Sequence, residues 1–183
     1  MNRLILILII VIELTGLYQN TPKRLWHSMM FYTQLSNAAA LLSALLLLLF
    51  GPLTWIVSFR YLAVCMLVMT CLVTVFVLVP TIRKPRFLLW GRVGFLLHVL
   101  GPLTNLISYA FFETHVTSVS LFIPPVLTLI YGIIMITLNY QKKVDGPYPF
   151  FRVYKQSTAA TVMWILVLLC VISLISYSVF AFC

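Results

Sequence analysis

Acidic residues are nearly missing from this chain: Glu13, Glu113 and Asp145 are the three among 183 residues, and charges of both signs make up 8%. A soluble domain carries about a quarter charged residues, so that class is excluded. The 63% of hydrophobic residues and a mean hydropathy of +1.11 identify an integral membrane protein. Cysteine is sparse and unpatterned. Cys65, Cys71 and Cys170 lie in apolar runs, Cys183 is the last residue, and no CxxC pair occurs, which argues against both a zinc site and a disulfide framework. A long basic stripe is also missing, which sets nucleic acid aside as a partner. The opening MNRLILILIIVIELTGLYQN has no small-x-small cleavage site and holds a glutamate where an apolar run should finish. A retained first span is therefore expected, not a cleaved signal.

What is present is a series of apolar stretches, each near the ~20 residues that a helix needs to cross a bilayer. They fall near residues 2–19, 29–50, 58–80, 93–112, 119–139 and 157–181, separated by Gly51-Pro52, Pro80, Pro85 and Asp145-Gly146-Pro147. The expected fold is all-α: a polytopic membrane protein, one bundle of six transmembrane helices with short loops and no appended domain. Pro124-Pro125 is expected to start or kink the fifth span. The formal charge of +9 is a topology signal. Ten of the twelve Lys and Arg fall in loops one, three and five (Lys23, Arg24, Arg83, Lys84, Arg86, Arg92, Lys142, Lys143, Arg152 and Lys155), against Arg3 and Arg60 on the other side. Those three loops are expected to be cytoplasmic and both termini outside. Anionic lipid head groups are the expected partners of that basic face. Tyr18, Trp26, Trp55, Trp90 and Tyr140 sit near span ends and read as interfacial anchors, and His27 and His115 as solvated loop residues.

The spans carry polar groups that hydrocarbon does not require. Thr33, Ser36 and Asn37 stand at i, i+3 and i+4, one face of a helix. Glu13 lies near the inner end of the first span and His98 lies six residues beyond Arg92, ~9 Å along a helix. An acid, a hydroxyl and an imidazole are thus expected in one layer near the same membrane face. A membrane-buried ionisable group costs at least ~2.5 kcal/mol without a partner, so Glu13 and His98 should face the bundle interior. Gly94 and Gly101 leave room beside His98, and Pro102 cannot donate to the carbonyl of residue 98. Two readings of the polar face stay open: hydrogen-bonded helix packing, for which small and polar residues are well suited, and a hydroxyl nucleophile activated by an imidazole. The loop NYQKKVDGPYPFFRVYKQ either lies along the head groups or folds over the inner mouth of the bundle.

Three segments carry a resemblance. FYTQLSN resembles the aromatic-Thr-x-x-Ser-Asn signature of a family of bacterial six-span integral membrane proteins, LLHVLGP its His-x-x-x-Pro segment, and DGPYPFF its Tyr-Pro-Phe loop, in the family's order. That family distantly resembles the androgen-induced gene and androgen-dependent TFPI-regulating proteins, which hydrolyse fatty acid esters of hydroxy fatty acids with a Thr in the second span and a His in the fourth. The resemblance implies an intramembrane lipid-ester hydrolase of the bacterial cytoplasmic membrane, its substrate a lipid within the bilayer. Thr33 would be the nucleophile and His98 the base, Asn37 or Ser36 an oxyanion donor, and Glu13 a group that orients the imidazole; no cofactor or metal is expected. The rival expectation is a non-enzymatic binder or transporter, in which Glu13, His98 and Asn37 line a polar path for a proton or small solute.

Overall fold

The computed structural model describes residues 2–20, 30–113, 116–145 and 148–182. Lys23, Arg24, Trp26, His27, His115, Gly146, Pro147 and Cys183 lie outside the described residues. The described residues form an all-α polytopic membrane fold with six long helices: α1 Arg3–Asn20, α2 Tyr32–Phe50, α3 Thr54–Ile82, α4 Arg92–Phe112, α5 Ser118–Tyr140 and α6 Thr158–Ala181. The last five are long and apolar enough to cross a membrane. The α1 helix, 18 residues long, rises about 27 Å and packs on α2 and α4. The α2–α3 and α3–α4 pairs continue the bundle, and α5 and α6 close it against α3.

Helix ends follow the local chemistry. Gly51 at φ 76° ends α2, and the extended Leu53 caps α3, so that helix begins at Thr54, four residues earlier than the hydropathy suggests. It also runs past Pro80, which does not end it. Thr74–Leu78 is a π turn in which the Val79 N–H donates to the Thr74 carbonyl. This widened ladder leaves Pro80 in the first turn of the next α segment, where its missing N–H is harmless. The same device recurs in α4: Leu96–Leu100 is a π turn, the Gly101 N–H donates to the Leu96 carbonyl, and Pro102 follows. The α5 helix opens as a 3₁₀ turn, Ser118–Phe122, and becomes α-helical at Ile123 with the two prolines in its first positions. Pro124-Pro125 is therefore a start, not a kink.

The loop after α5 folds inward. Tyr148, Phe150 and Phe151 are buried in the main apolar cluster with Tyr32, Tyr61 and Leu88, while Lys142, Lys143 and Lys155 stay exposed. Tyr61 ties α3 to α6 by donating to the Ser176 carbonyl at 2.6 Å. Arg60, inside the third apolar stretch, is a fully buried residue of α3, paired with Glu113 at 3.0 Å.

Candidate functional site

Thr33, in the first turn of α2, is buried, and its surroundings come mainly from elsewhere in the chain. Its backbone N–H donates to the Tyr148 hydroxyl at 3.2 Å, and its own hydroxyl lies 3.3 Å from the same phenolic oxygen. Because the Tyr148 oxygen already accepts from the amide, its proton is left to donate toward Thr33 Oγ1 or toward a group that displaces it. Burial pushes the Tyr148 phenol above its usual range, opposed by its bonds to Thr33, so it is a neutral donor at ordinary pH. The two residues line a cavity of about 60 Å³. At about 10–15 Å³ per water position, that is room for a handful of waters or a short run of methylenes. Thr70 and Thr74 of α3 and Thr128 and Gly132 of α5 line it, and Phe151 and Leu168 complete its apolar wall. Ile133, also in its lining, is exposed on α5.

Ser36 and Asn37 gather beside Thr33, as the i, i+3, i+4 spacing requires. Ser36 donates to the Thr33 carbonyl at 3.0 Å and shares a 2.9 Å bond with Thr70. Asn37 Nδ2 donates to the Thr33 carbonyl at 2.6 Å and to the Leu97 carbonyl at 3.4 Å. The donors of both residues are engaged within and between helices in this structure. The Tyr148 hydroxyl is the group that faces Thr33 Oγ1.

His98 lies in the π turn of α4, half-buried, with Nδ1 at 3.1 Å from the Gly94 carbonyl. A carbonyl only accepts, so Nδ1 carries the proton in this bond. The Leu88 carbonyl also lies beside the ring. Its helix is close to the Thr33 segment, since Leu97 accepts from Asn37. Among the described residues no hydrogen bond joins His98 to Thr33, and the cavity wall includes Thr33 without His98.

Glu13 belongs to a second polar cluster. Its Oε1 accepts from Asn105 Nδ2 at 2.8 Å, so its partner is Asn105 and not His98. Asn105 Oδ1 accepts from Arg60, whose guanidinium forks onto Glu113 with bonds of 3.0 and 3.1 Å, and Ser108 donates to Glu113 at 2.7 Å. Glu13, Arg60, Asn105 and Ser108 are all buried.

Sequence reasoning missed the Arg60–Glu113–Asn105 chain and the direct bond of Tyr148 to Thr33. For Tyr148 the signal was its place in the DGPYPFF motif. For Arg60 it was the oddity of a basic residue inside an apolar run. Cys71 and Cys170 are free thiols, and the described residues contain no cluster of His, Cys, Asp and Glu that could hold a metal. Comparison with protein-family models, with curated proteins and with solved structures finds no match for this chain.

Proposed function

We propose that the protein is an intramembrane lipid-ester hydrolase of the type that cleaves fatty acid esters of hydroxy fatty acids, with Thr33 as nucleophile and His98 as general base. The observation that carries this reading is the buried Thr33 hydroxyl, paired with the Tyr148 phenol in the wall of an apolar cavity beside lipid-facing α5. An acyl chain would enter from the bilayer beside Ile133 and bring its ester to Thr33. The hydroxyl oxygen attacks the carbonyl carbon while its proton passes to His98 Nε2, and the Tyr148 O–H donates to the developing oxyanion. The imidazolium then protonates the leaving alkoxide, and water, deprotonated by the same imidazole, releases the acid from Thr33. Proton transfer requires His98 to reach Thr33 directly or through one water.

The test is turnover of a panel of ester lipids by the purified protein and three variants. Thr33→Ala is expected to be inactive, His98→Ala to be slower by about 10²–10⁴-fold, and Tyr148→Phe slower by a smaller factor. Unchanged turnover in Thr33→Ala overturns the assignment.

A second reading has its own support. The buried Glu13–Asn105–Arg60–Glu113 chain carries polar groups toward the end of α4, as a proton or small-solute path would. Proteoliposomes with an entrapped pH indicator separate the two: a transporter moves protons without ester and does so equally in Thr33→Ala.

For the setting, we propose the bacterial cytoplasmic membrane, with loops one, three and five on the cytoplasmic side, both termini outside, and anionic head groups at the basic face.

A further inference from the structure

The Glu13 cluster contains two carboxyl groups and one guanidinium, all removed from solvent: Glu13 and Arg60 are fully buried and the Glu113 side chain is 4% exposed. Arg60 is matched by its forked pair with Glu113, so an ionised Glu13 would leave one uncompensated negative charge inside the bundle. Such a charge is among the costliest features a membrane core can hold.

The hydrogen bonding shows the same deficit. Glu13 Oε2 and Asn37 Oδ1 are both buried without a partner. The orientation of each amide is fixed by what surrounds it. Asn37 Nδ2 faces two carbonyls, of Thr33 and Leu97, and Asn105 Nδ2 faces the Gly101 carbonyl and Glu13 Oε1. Turning either amide over would set oxygen against oxygen, so Oδ1 is the Asn37 atom turned toward Gly101. The two side chains converge on Gly101, where an added Cβ would stand 2.9 Å from Glu13 Oε1 and 3.3 Å from Asn37 Oδ1. Two neighbouring buried side chains thus each keep an acceptor without a donor, in a cluster that an ionised Glu13 leaves one positive charge short, and a single small cation meets both deficits.

We propose that Glu13 and Asn37 form a proton-binding site, in which Glu13 is a neutral carboxylic acid whose Oε2–H donates to Asn37 Oδ1. One proton pairs both orphan oxygens and brings the cluster to zero net charge. The groups facing Glu13 from its neighbours allow this. The α2 helix offers Asn37 and holds no carboxylate, amine or imidazole. From α3 comes Arg60, and from α4 come Asn105, Glu113 at the helix end and His98 about a turn from Gly101, its Nδ1 engaged by Gly94. Loss of the proton leaves Arg60 facing two carboxylates, so the fork on Glu113 loosens and the end of α4 is released. Protonation of Glu13 thereby sets the packing of α1 against α4, independently of ester hydrolysis at Thr33.

Infrared absorption of the purified protein in lipid nanodiscs tests the site directly. At neutral pH the wild type is expected to show the C=O stretch of a protonated carboxylic acid. The band is absent in Glu13→Gln, whose amide keeps the shape and a donor toward Asn37. In Asn37→Ala the band persists at higher frequency, because the acid has lost its acceptor. Raising the pH removes the band and lowers the thermal midpoint of the wild type while leaving Glu13→Gln unmoved. Absence of the band in wild type, with a midpoint that rises when sodium replaces choline, makes the occupant a metal cation and overturns the proposal. An unshifted band in Asn37→Ala overturns the pairing with Asn37, and this arm stands even where Glu13→Gln does not fold.

Discussion

Arg60 shows how one side chain organises a buried region. Its forked bonds to Glu113 and its contact with Asn105 join α3 to the far end of α4, so removing it strands a carboxylate in the bundle. Breaking a buried pair from one side costs about 3–5 kcal/mol. Arg60→Leu is therefore expected to lower the thermal midpoint sharply in detergent, while Arg60→Leu combined with Glu113→Gln recovers a large part of the loss because no bare charge remains. Equal destabilisation in the single and double variants would show that Arg60 acts by packing alone. Legibility at this scale followed sequence distance. The Thr33, Ser36 and Asn37 group was readable because three residues at i, i+3 and i+4 need nothing but a helix to meet. The Arg60–Glu113 and Thr33–Tyr148 contacts, 53 and 115 residues apart, were not, because no local periodicity encodes which loop folds back over which helix.

Helix α4 carries the site through its glycines and its π turn. Gly16 of α1 meets it so closely that a Cβ would stand 2.5 Å from Leu97 Cδ2, and Gly101 has the Glu13 and Asn37 oxygens at similar range. Gly101→Ala must push apart two polar groups held by other helices, so it is expected to destabilise despite the better helix propensity of alanine. Gly132 of α5 differs, since Phe151 Cε1, the nearest atom, is 4.0 Å from an added Cβ, and it lines the Thr33 cavity. Gly132→Ala should therefore keep or slightly raise the thermal midpoint, by about 0.5–1 kcal/mol of helix stability. Gly132→Leu should fill the cavity and reduce turnover of long-chain esters while the fold survives. If Gly132→Leu hydrolyses them at the wild-type rate, the substrate lies elsewhere. The π turn at His98 was foreshadowed by Gly94, Gly101 and Pro102, whose chemistry announces an opened helix. The π turn before Pro80 was not, because a proline near the end of an apolar run reads equally well as the end of the span.

Across the whole molecule the six-helix layout was readable from hydropathy, since lipid demands that backbone groups be satisfied within each helix and leaves few alternatives. The distribution of charge then makes a prediction about sidedness. With Arg60 buried and paired, its charge no longer speaks for the opposite face, and Arg3 alone stands against the ten basic residues of loops one, three and five. Excess Lys and Arg in short loops is retained on the cytoplasmic side, and each such residue near an anionic surface gains about 1 kcal/mol. The exposed Lys84 and Lys143 should therefore face the cytoplasm and the exposed Thr117 the outside. In a chain whose own cysteines are replaced, Lys84→Cys, Lys143→Cys and Thr117→Cys can each be treated in intact cells with a membrane-impermeant maleimide. Thr117→Cys is expected to label at once, and the other two only after the membrane is opened. The reverse pattern would mean that Arg3 and the terminal amine hold the N-terminus inside, and the Thr33 cavity, which lies toward the basic loops, would then draw its lipid from the outer leaflet.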